Sequence, residues 1–489
     1  MKIAIIGGGI SGLSLAWYLL KMDNSIDVSI YEAENRLGGK IFTNSAGGYL
    51  LESGVNGFLD NRPATIELAG DLGLSPLRSN DAARRRFIYS NRRLQQLPEN
   101  PISFLRSNLL SIKGRARIGL EFFTPKAQIE DETLSEFATR RLGKEAYEKL
   151  IEPMALGIYA GDGEKLSLRS CFPKIYNLES NYGGLIKGML KMKKSGAGPG
   201  GILTSFYSGM QVLVETLAER LKGRIFINHC ANSIEKNSNK GYRINFENNI
   251  SYQVAFNRIT ALASSSTPQR TEQYASVVSS LPPCSTSERN LVSIDADVVV
   301  VATPAHSASH TLKGLDTGFS KQLNKIPYPY LIVAATAFHK DMVKRNINGF
   351  GFLIPSKEGR KILGSLWDSS IFPDRAPKDF ILIRTMIGGA KASDSVSEMD
   401  DKQVKELVLN ELSDIIGLKG EPDFTKIYRH DKAMPQYNVG HIGILDSLDN
   451  LVSNYKGLYL HGNAYKGIGV NDCIENSLSL AKKIKRLKA

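Results

Sequence analysis

The chain has 489 residues, a net charge of +13, and is 42% hydrophobic and 23% charged, the ordinary balance of a globular enzyme with room for more than one domain. Its four cysteines, Cys171, Cys230, Cys284 and Cys473, show no CxxC spacing, which argues against an iron–sulfur or zinc site and for reduced thiols in the cytoplasm. It has no run of about 18 apolar residues to span a bilayer, and neither zinc-finger spacing nor RNP-like aromatics to bind nucleic acid.

The N-terminal "KIAIIGGGISGLSLAWYLL" reads as a buried strand over Lys2–Ile6, a turn, and a helix from about Ile10. Its apolar run breaks at three glycines with no cleavage site after it, so it is read as the start of the mature chain and not as a signal peptide. The turn fits GxGxxG. Gly7 makes the tight turn, Gly9 lets the backbone approach a pyrophosphate, and Gly12 lets the helix pack on the strand. The helix N-terminus, with Gly8, Ile10 and Ser11 around it, faces the anion. A second strand, "DVSIYE", ends in Glu32, placed to accept from both ribose hydroxyls. Strand, glycines, helix, strand and acid together predict a dinucleotide site, with NAD and FAD both open.

The next stretch, "EAENRLGGKIFTNSAGGYLLESGVNGF", carries Arg36, Gly38, Gly39 and Lys40 and then Gly54, Val55, Asn56 and Gly57. It resembles the flavin amine-oxidase superfamily, in which an RxGG segment follows the ribose acid and runs along the pyrophosphate. Paired glycines permit close backbone approach, and Arg36 can offset phosphate charge. NAD enzymes need no such second strap, so FAD is the expected cofactor. Valine here replaces the proline that often follows the glycine of the family's ExGP.

"RRRFIYSNRRLQQLP" reads as a hairpin, and residues 102–152 as helical. "ETLSEFATRRLGKEAYEKLIEPM" is a capped amphipathic helix pair, with Thr133 and Glu136 placed as a capping box. "KGMLKMKKSGAGPGG" reads as a Gly/Lys-rich loop. "FYSGMQVLVETLAERL" is a helix after Gly209, and "GRIFINHCANSIEK" alternates as a strand. By the resemblance, that strand lays a backbone pair against the adenine at Ala231. Residues 260–292 are Ser/Thr/Pro-rich and read as a disordered insertion between the two strands of a hairpin, "YRINFEN" and "DADVVVVATP". From about 325 to 430, strands such as "YLIVAATAF" and "FILIRTMIGG" suggest a mixed sheet roofing a pocket.

"RRLGKEAYEKLIEPMALGIYAGDGEKLSLRSCFPKI", "GFGFLIPSKEGRKILGSLWDSSIFPDRAP" and "MPQYNVGH" resemble the oxygen-dependent protoporphyrinogen oxidase and coproporphyrinogen III oxidase family. The resemblance implies an α/β (α+β) fold. A discontinuous Rossmann-like FAD domain (1–75, 205–305, 436–489) is joined by a mixed-sheet substrate domain (76–100, 306–435) and a helical membrane-associated domain (101–204). It also implies removal of six electrons from a porphyrinogen in haem biosynthesis, with O2 as acceptor and H2O2 as product. Protoporphyrinogen IX is the expected substrate and coproporphyrinogen III the alternative; a porphyrin-binding flavoprotein without turnover is a further alternative. An amine oxidase or desaturase does not account for "AGDGEKLSLRSCFP" or "WDSS". No catalytic side chain beyond the cofactor is expected, and no metal.

By the same resemblance, Arg86 pairs with a propionate, Phe350 and Leu353 line the macrocycle face with Met386 nearby, and Gly157 stands where bulk would block the pocket. The C-terminal "LYLHGNAYKGIGVNDCIENS" returns a strand to the FAD sheet, with Gly462 and Asn463 at its end. Ile468, Gly469 and Val470 pass the flavin, and a helix from near Asn471 or Asp472 follows. Cys473 is read as a packing residue. Basic clusters at 84–86, 92–93, 140–141, 191–194 and 482–488 read individually as solvated surface. The apolar and basic stretch 102–123 further suggests peripheral contact with an anionic membrane at its inner face. A homodimer and hand-off of product to a ferrochelatase are the remaining implied partnerships.

Overall fold

The computed structural model describes residues 1–194, 201–237, 241–248 and 290–487. Five parallel strands form the first sheet, in the order Ile225–Phe226, Asp27–Tyr31, Lys2–Ile6, Val298–Val301, Leu458–Leu460. These are short apolar runs because both sheet faces are covered. Ile3, Ile5, Val298 and Val300 meet a core built with helices Ile10–Met22 and Val470–Lys485. Ala4, Ile6, Val299 and Val301 meet a second core, shared with helices Ala305–Leu312 and His441–Ser453.

The two ends of the chain are joined through a buried polar seam. Ser14 Oγ and His461 Nε2 lie 2.9 and 2.8 Å from Ser477 Oγ. Burial pushes the His461 imidazole down to about 4, so it is neutral at pH 7.

An antiparallel sheet of His229–Lys236, Tyr242–Asn248 and Asn290–Ala296 packs on the second core. This corrects the expected hairpin: the partner of Tyr242–Asn248 is Asn290–Ala296, and Val298–Val301 belongs to the parallel sheet. Residues 290–292, expected in the insertion, are strand, because Val292 and Ile294 pair with Phe246 and Ile244. The rest of that expectation, 260–289, lies outside the described residues.

The second large sheet has seven strands, in the order Phe424–His430, Leu331–His339, Phe380–Gly388, Gly364–Leu366, Gly351–Leu353, Arg86–Ser90, Arg93–Gln96. The last two strands form a hairpin whose turn residues, Asn91 and Arg92, have φ of 56° and 59°, the primed-turn geometry that matches strand twist. One sheet face packs Ile332, Ala334, Phe352, Ile383 and Ile387 against helix Asp401–Ile416. The other, with Val333, Ala335, Leu382 and Met386, meets Tyr49 and Leu51 of strand Tyr49–Glu52.

Thr133 and Glu136 form the expected capping box on helix Leu134–Leu142. A following helix runs through Lys144–Ala146, a π-turn at Tyr147–Ile151, and Glu152–Tyr159. The expected loop at 187–194 is corrected: Leu185–Lys194 is a helix. Its Leu, Met and Lys residues favour that state. Gly188 serves close packing, since a β-carbon there would lie 2.6 Å from Leu178 Cδ2. Arg140 and Arg141, expected on a solvated face, turn inward. Arg141 is fully buried, 2.9 Å from Glu121 and paired with Glu179, while Arg140 joins Glu132 and Glu179. The buried carboxylates of Glu121 and Glu179 demand such partners.

Candidate active site

The Gly-rich turn is shaped by its own packing. Gly7 has φ 113°, and a β-carbon on it would lie 2.7 Å from the Ala302 carbonyl oxygen. On Gly12 a β-carbon would stand 2.1 Å from the Gly7 oxygen, so helix and strand touch only because both residues are glycine. Gly9 differs: its β-carbon would meet nothing within 4 Å. That open face, at the N-terminus of helix Ile10–Met22, suits a pyrophosphate. Ile10 and Ser11 are themselves buried in the first turn.

Glu32 stands at the end of its strand. Oε2 accepts from Gly8 N at 2.7 Å and Oε1 from Glu34 N at 2.8 Å. Burial raises its pKa against these two hydrogen bonds. Each oxygen keeps a lone pair for a ribose hydroxyl. The first strap crosses the turn: Gly38 N donates to Gly8 O at 2.9 Å, and a β-carbon on Gly39 would lie 3.6 Å from Gly9 Cα. The Arg36 guanidinium donates to Gly39 O at 2.8 Å and stacks over Phe42. Burial lowers the pKa of Lys40.

The second strap, 52–57, passes between the two sheets. Glu52 is 1% exposed. Its carboxylate accepts from Thr43 Oγ1 at 2.8 Å and from Met210 N at 2.7 Å, at the start of helix Gln211–Arg220. Burial raises its pKa. Gly57 answers to packing, since a β-carbon there would lie 2.4 Å from the Thr204 carbonyl oxygen. Val55 packs on the first core, and Asn56 Nδ2 lies 3.5 Å from Asp368 Oδ1.

The C-terminal turn closes the same region. Gly462 and Gly467 have φ of 120° and 79°. The Asn463 carbonyl accepts from Tyr437 Oη. Gly469 N donates to Asp472 Oδ2 at 3.1 Å, and Asp472 pairs with Arg62. Ile468 reaches the core of the helical region, and Val470 opens helix Val470–Lys485. Cys473 is buried, its thiol pushed up to about 11. Ala231 is buried, and its carbonyl accepts from Thr311 Oγ1 at 3.2 Å.

The five residues expected at the substrate lie on or beside four neighbouring strands of the seven-stranded sheet, Arg86–Ser90, Gly351–Leu353, Gly364–Leu366 and Phe380–Gly388. Met386 pairs with Gly364, and Gly364 with Leu353. Cross-strand partners share a face, so Leu353 and Met386 flank a position that has no side chain. The Arg86 guanidinium lies 5.0 Å over the Phe350 ring, one residue before strand Gly351–Leu353. Gly157 approaches Leu353 from helix Glu152–Tyr159. Met154 and Ile158 are exposed beside Gly157 on that helix.

Two residues missed from sequence are Asp368 and Arg384, a buried ion pair next to the second strap. Its only sequence signal is an arginine inside the apolar run "FILIRTMIG". Among the described residues no His/Cys/Asp/Glu group could hold a metal ion. Burial depresses the pKa of His430, His441 and His461, which suits none of them to act as a protonated acid at pH 7.

Residues 10–485 match the flavin containing amine oxidoreductase family. The chain is 31% identical to the coproporphyrinogen III oxidase of Bacillus subtilis, over 97% of this chain and 95% of that protein. It is 30% identical to protoporphyrinogen oxidase 2 of Arabidopsis thaliana, over 98% and 93% respectively. Among solved structures, a protein from Exiguobacterium sp. 255-15 superposes with a TM-score of 0.78 at 24% identity, covering 100% of this chain and 99% of that one. Reduced UDP-galactopyranose mutase gives 0.70 at 13% identity, covering 99% and 96%. At such identities these structures speak to the fold alone.

Proposed function

The chain belongs to the flavin containing amine oxidoreductases, and from that membership we propose that it is an FAD-dependent porphyrinogen oxidase of haem biosynthesis. The observation that carries this reading is the register placing Leu353 and Met386 on one face across Gly364, with Arg86 on the adjoining strand, paired with Gly351. A flat apolar macrocycle bearing propionates needs such a wall and such a cation. The named relatives, protoporphyrinogen and coproporphyrinogen III oxidases, support the same substrate class.

FAD fits the residues present. Gly9 leaves the pyrophosphate room, Glu32 keeps acceptor capacity for a ribose, and Gly38, Gly39 and Gly54–Gly57 form the straps beside them. Bound there, FAD would accept a hydride from the porphyrinogen in each of three turnovers, with O2 as final acceptor and H2O2 as product. The chain itself binds and orients. Arg86 takes a propionate, and its guanidinium is pre-oriented by Phe350. Phe350, Leu353 and Met386 cover the ring, and Gly157 leaves space for it. The N-terminus of helix Val470–Lys485 would lend partial positive charge to a flavin bound beside it.

Protoporphyrinogen IX is the proposed substrate, with coproporphyrinogen III as the alternative. The extra carboxylates of coproporphyrinogen III would suit the exposed basic stretch that includes Arg84 and Arg86. Steady-state product fluorescence with each purified porphyrinogen separates them; turnover of neither sinks the reading.

Peripheral contact with an anionic membrane is proposed through the helical region. Ile112, Leu120, Phe122 and Phe123 of the stretch 102–123 are exposed, as are Met189 and Leu190. The Lys187 ammonium lies 4.9 Å over the Phe122 ring, placing cations among the apolar groups. No described helix is long and apolar enough to cross a membrane. Liposome co-sedimentation at low salt tests this, and absence of binding contradicts it.

A further inference from the structure

Arg384 is the single charged residue of strand Phe380–Gly388 and is 1% exposed. Its Nε and Nη2 donate to Asp368 Oδ2 and Oδ1 at 2.5 and 3.2 Å. Its Nη1 donates to the carbonyls of Glu52 and Gly54 at 2.9 and 3.3 Å. His430 Nε2 lies 2.9 Å from the carbonyl between them, that of Ser53. Three successive strap carbonyls are therefore engaged by side chains of the seven-stranded sheet. Arg384 stands two residues from Met386 on the same face, opposite Leu366, which is itself opposite Gly351. One guanidinium thus joins the strap to the row that carries Leu353 and Met386.

Stability does not explain this arrangement. A buried ion pair is commonly no better than apolar side chains of the same volume, and neighbouring positions on this face are Val333, Ala335 and Leu382. What a bidentate arginine adds is direction, because its planar fork fixes the angle between its partners.

We propose that Arg384, fixed by Asp368, is a positioning residue that sets how the cofactor strap 52–57 stands against the substrate-facing row of Leu353 and Met386. The inference rests on the porphyrinogen-oxidase reading. Neither residue touches reacting atoms; both act through the strap, where a displacement of about 1 Å can cost roughly 100-fold in rate.

The test uses the purified holoprotein. Wild-type FAD content and porphyrinogen turnover are measured first; loss of either removes the underlying reading and this inference with it. Asp368→Asn and Arg384→Lys are then expected to keep FAD, to shift its visible spectrum and reduction potential, and to lower kcat about 10- to 100-fold while KM moves less than about threefold. Active wild type with variants of unchanged kcat and potential overturns the inference alone. Amide exchange in the wild type decides independently of whether the variants fold. The Ser53 amide, buried within the clamped stretch and donating to the Phe42 carbonyl at 2.9 Å, is expected to exchange as slowly as strand Phe380–Gly388, and exchange as fast as in exposed turns contradicts the clamp.

Discussion

Gly157 and Leu353 meet so closely that a β-carbon on Gly157 would lie 2.9 Å from Leu353 Cδ2. Any side chain at 157 must therefore displace Leu353 or project into the space beside it. Gly157→Val is expected to lower kcat/KM for the porphyrinogen at least about tenfold, with FAD content unchanged, since small-to-large changes force neighbours out of place. Full activity in this variant would show that the space is not used by substrate.

Arg86 carries no ion pair among the described residues, and its guanidinium rests on Phe350. Arg86→Ala should raise KM and leave the flavin spectrum intact. Loss of one charged hydrogen bond is worth roughly 1.5–3 kcal/mol, or about 10- to 150-fold. Arg86→Lys should recover part of this. Kinetics unchanged by both variants would take Arg86 out of the site.

Two buried histidines set a pH dependence of stability. Burial pushes His441 and His461 down to about 4 in the folded chain, against about 6.5 when unfolded. Between these values the unfolded chain binds more protons, so stability falls as pH drops from about 6.5 toward 4. The loss is on the order of 3 kcal/mol per histidine at most. Urea midpoints measured from pH 7.5 to 5 should fall, and His461→Asn should flatten the slope. A flat wild-type profile contradicts the burial account.

Arg141, fully buried between Glu121 and Glu179, predicts the opposite of a surface charge. Arg141→Ala strands the buried Glu121 carboxylate, while Glu179 keeps Arg140, and should cost about 3–5 kcal/mol. Thermal or urea unfolding measures it, and a change below about 0.5 kcal/mol would falsify the assignment of this cluster to the interior.

Features written in local chain chemistry were legible in the sequence. Gly7, Gly9, Gly12 and Glu32 announce themselves because strand, turn and helix constraints act within a few residues. The capping box at Thr133 and Glu136 is equally local. The adjacency of Leu353 and Met386 is not local, because it depends on the register of three strands with Gly364 between them. Asp368 and Arg384 were missed for a related reason: a buried arginine shows in an apolar run, but its partner and the strap it holds are fixed only by packing. The helix Leu185–Lys194 was hidden by its glycine, which packs against Leu178 and is not a breaker there. Arg140 and Arg141 looked like surface because nothing in the sequence near them reveals Glu121, Glu132 and Glu179 as their partners.

The central claim is that this chain oxidises a porphyrinogen through bound flavin. Anaerobic mixing of the yellow holoprotein with protoporphyrinogen IX, and separately with coproporphyrinogen III, tests it most directly. Bleaching of the flavin by at least one of them, followed by porphyrin fluorescence and hydrogen peroxide when air is admitted, is the predicted result. A flavin that stays oxidised in the presence of both would contradict the account and leave a flavoprotein that binds porphyrins without turning them over.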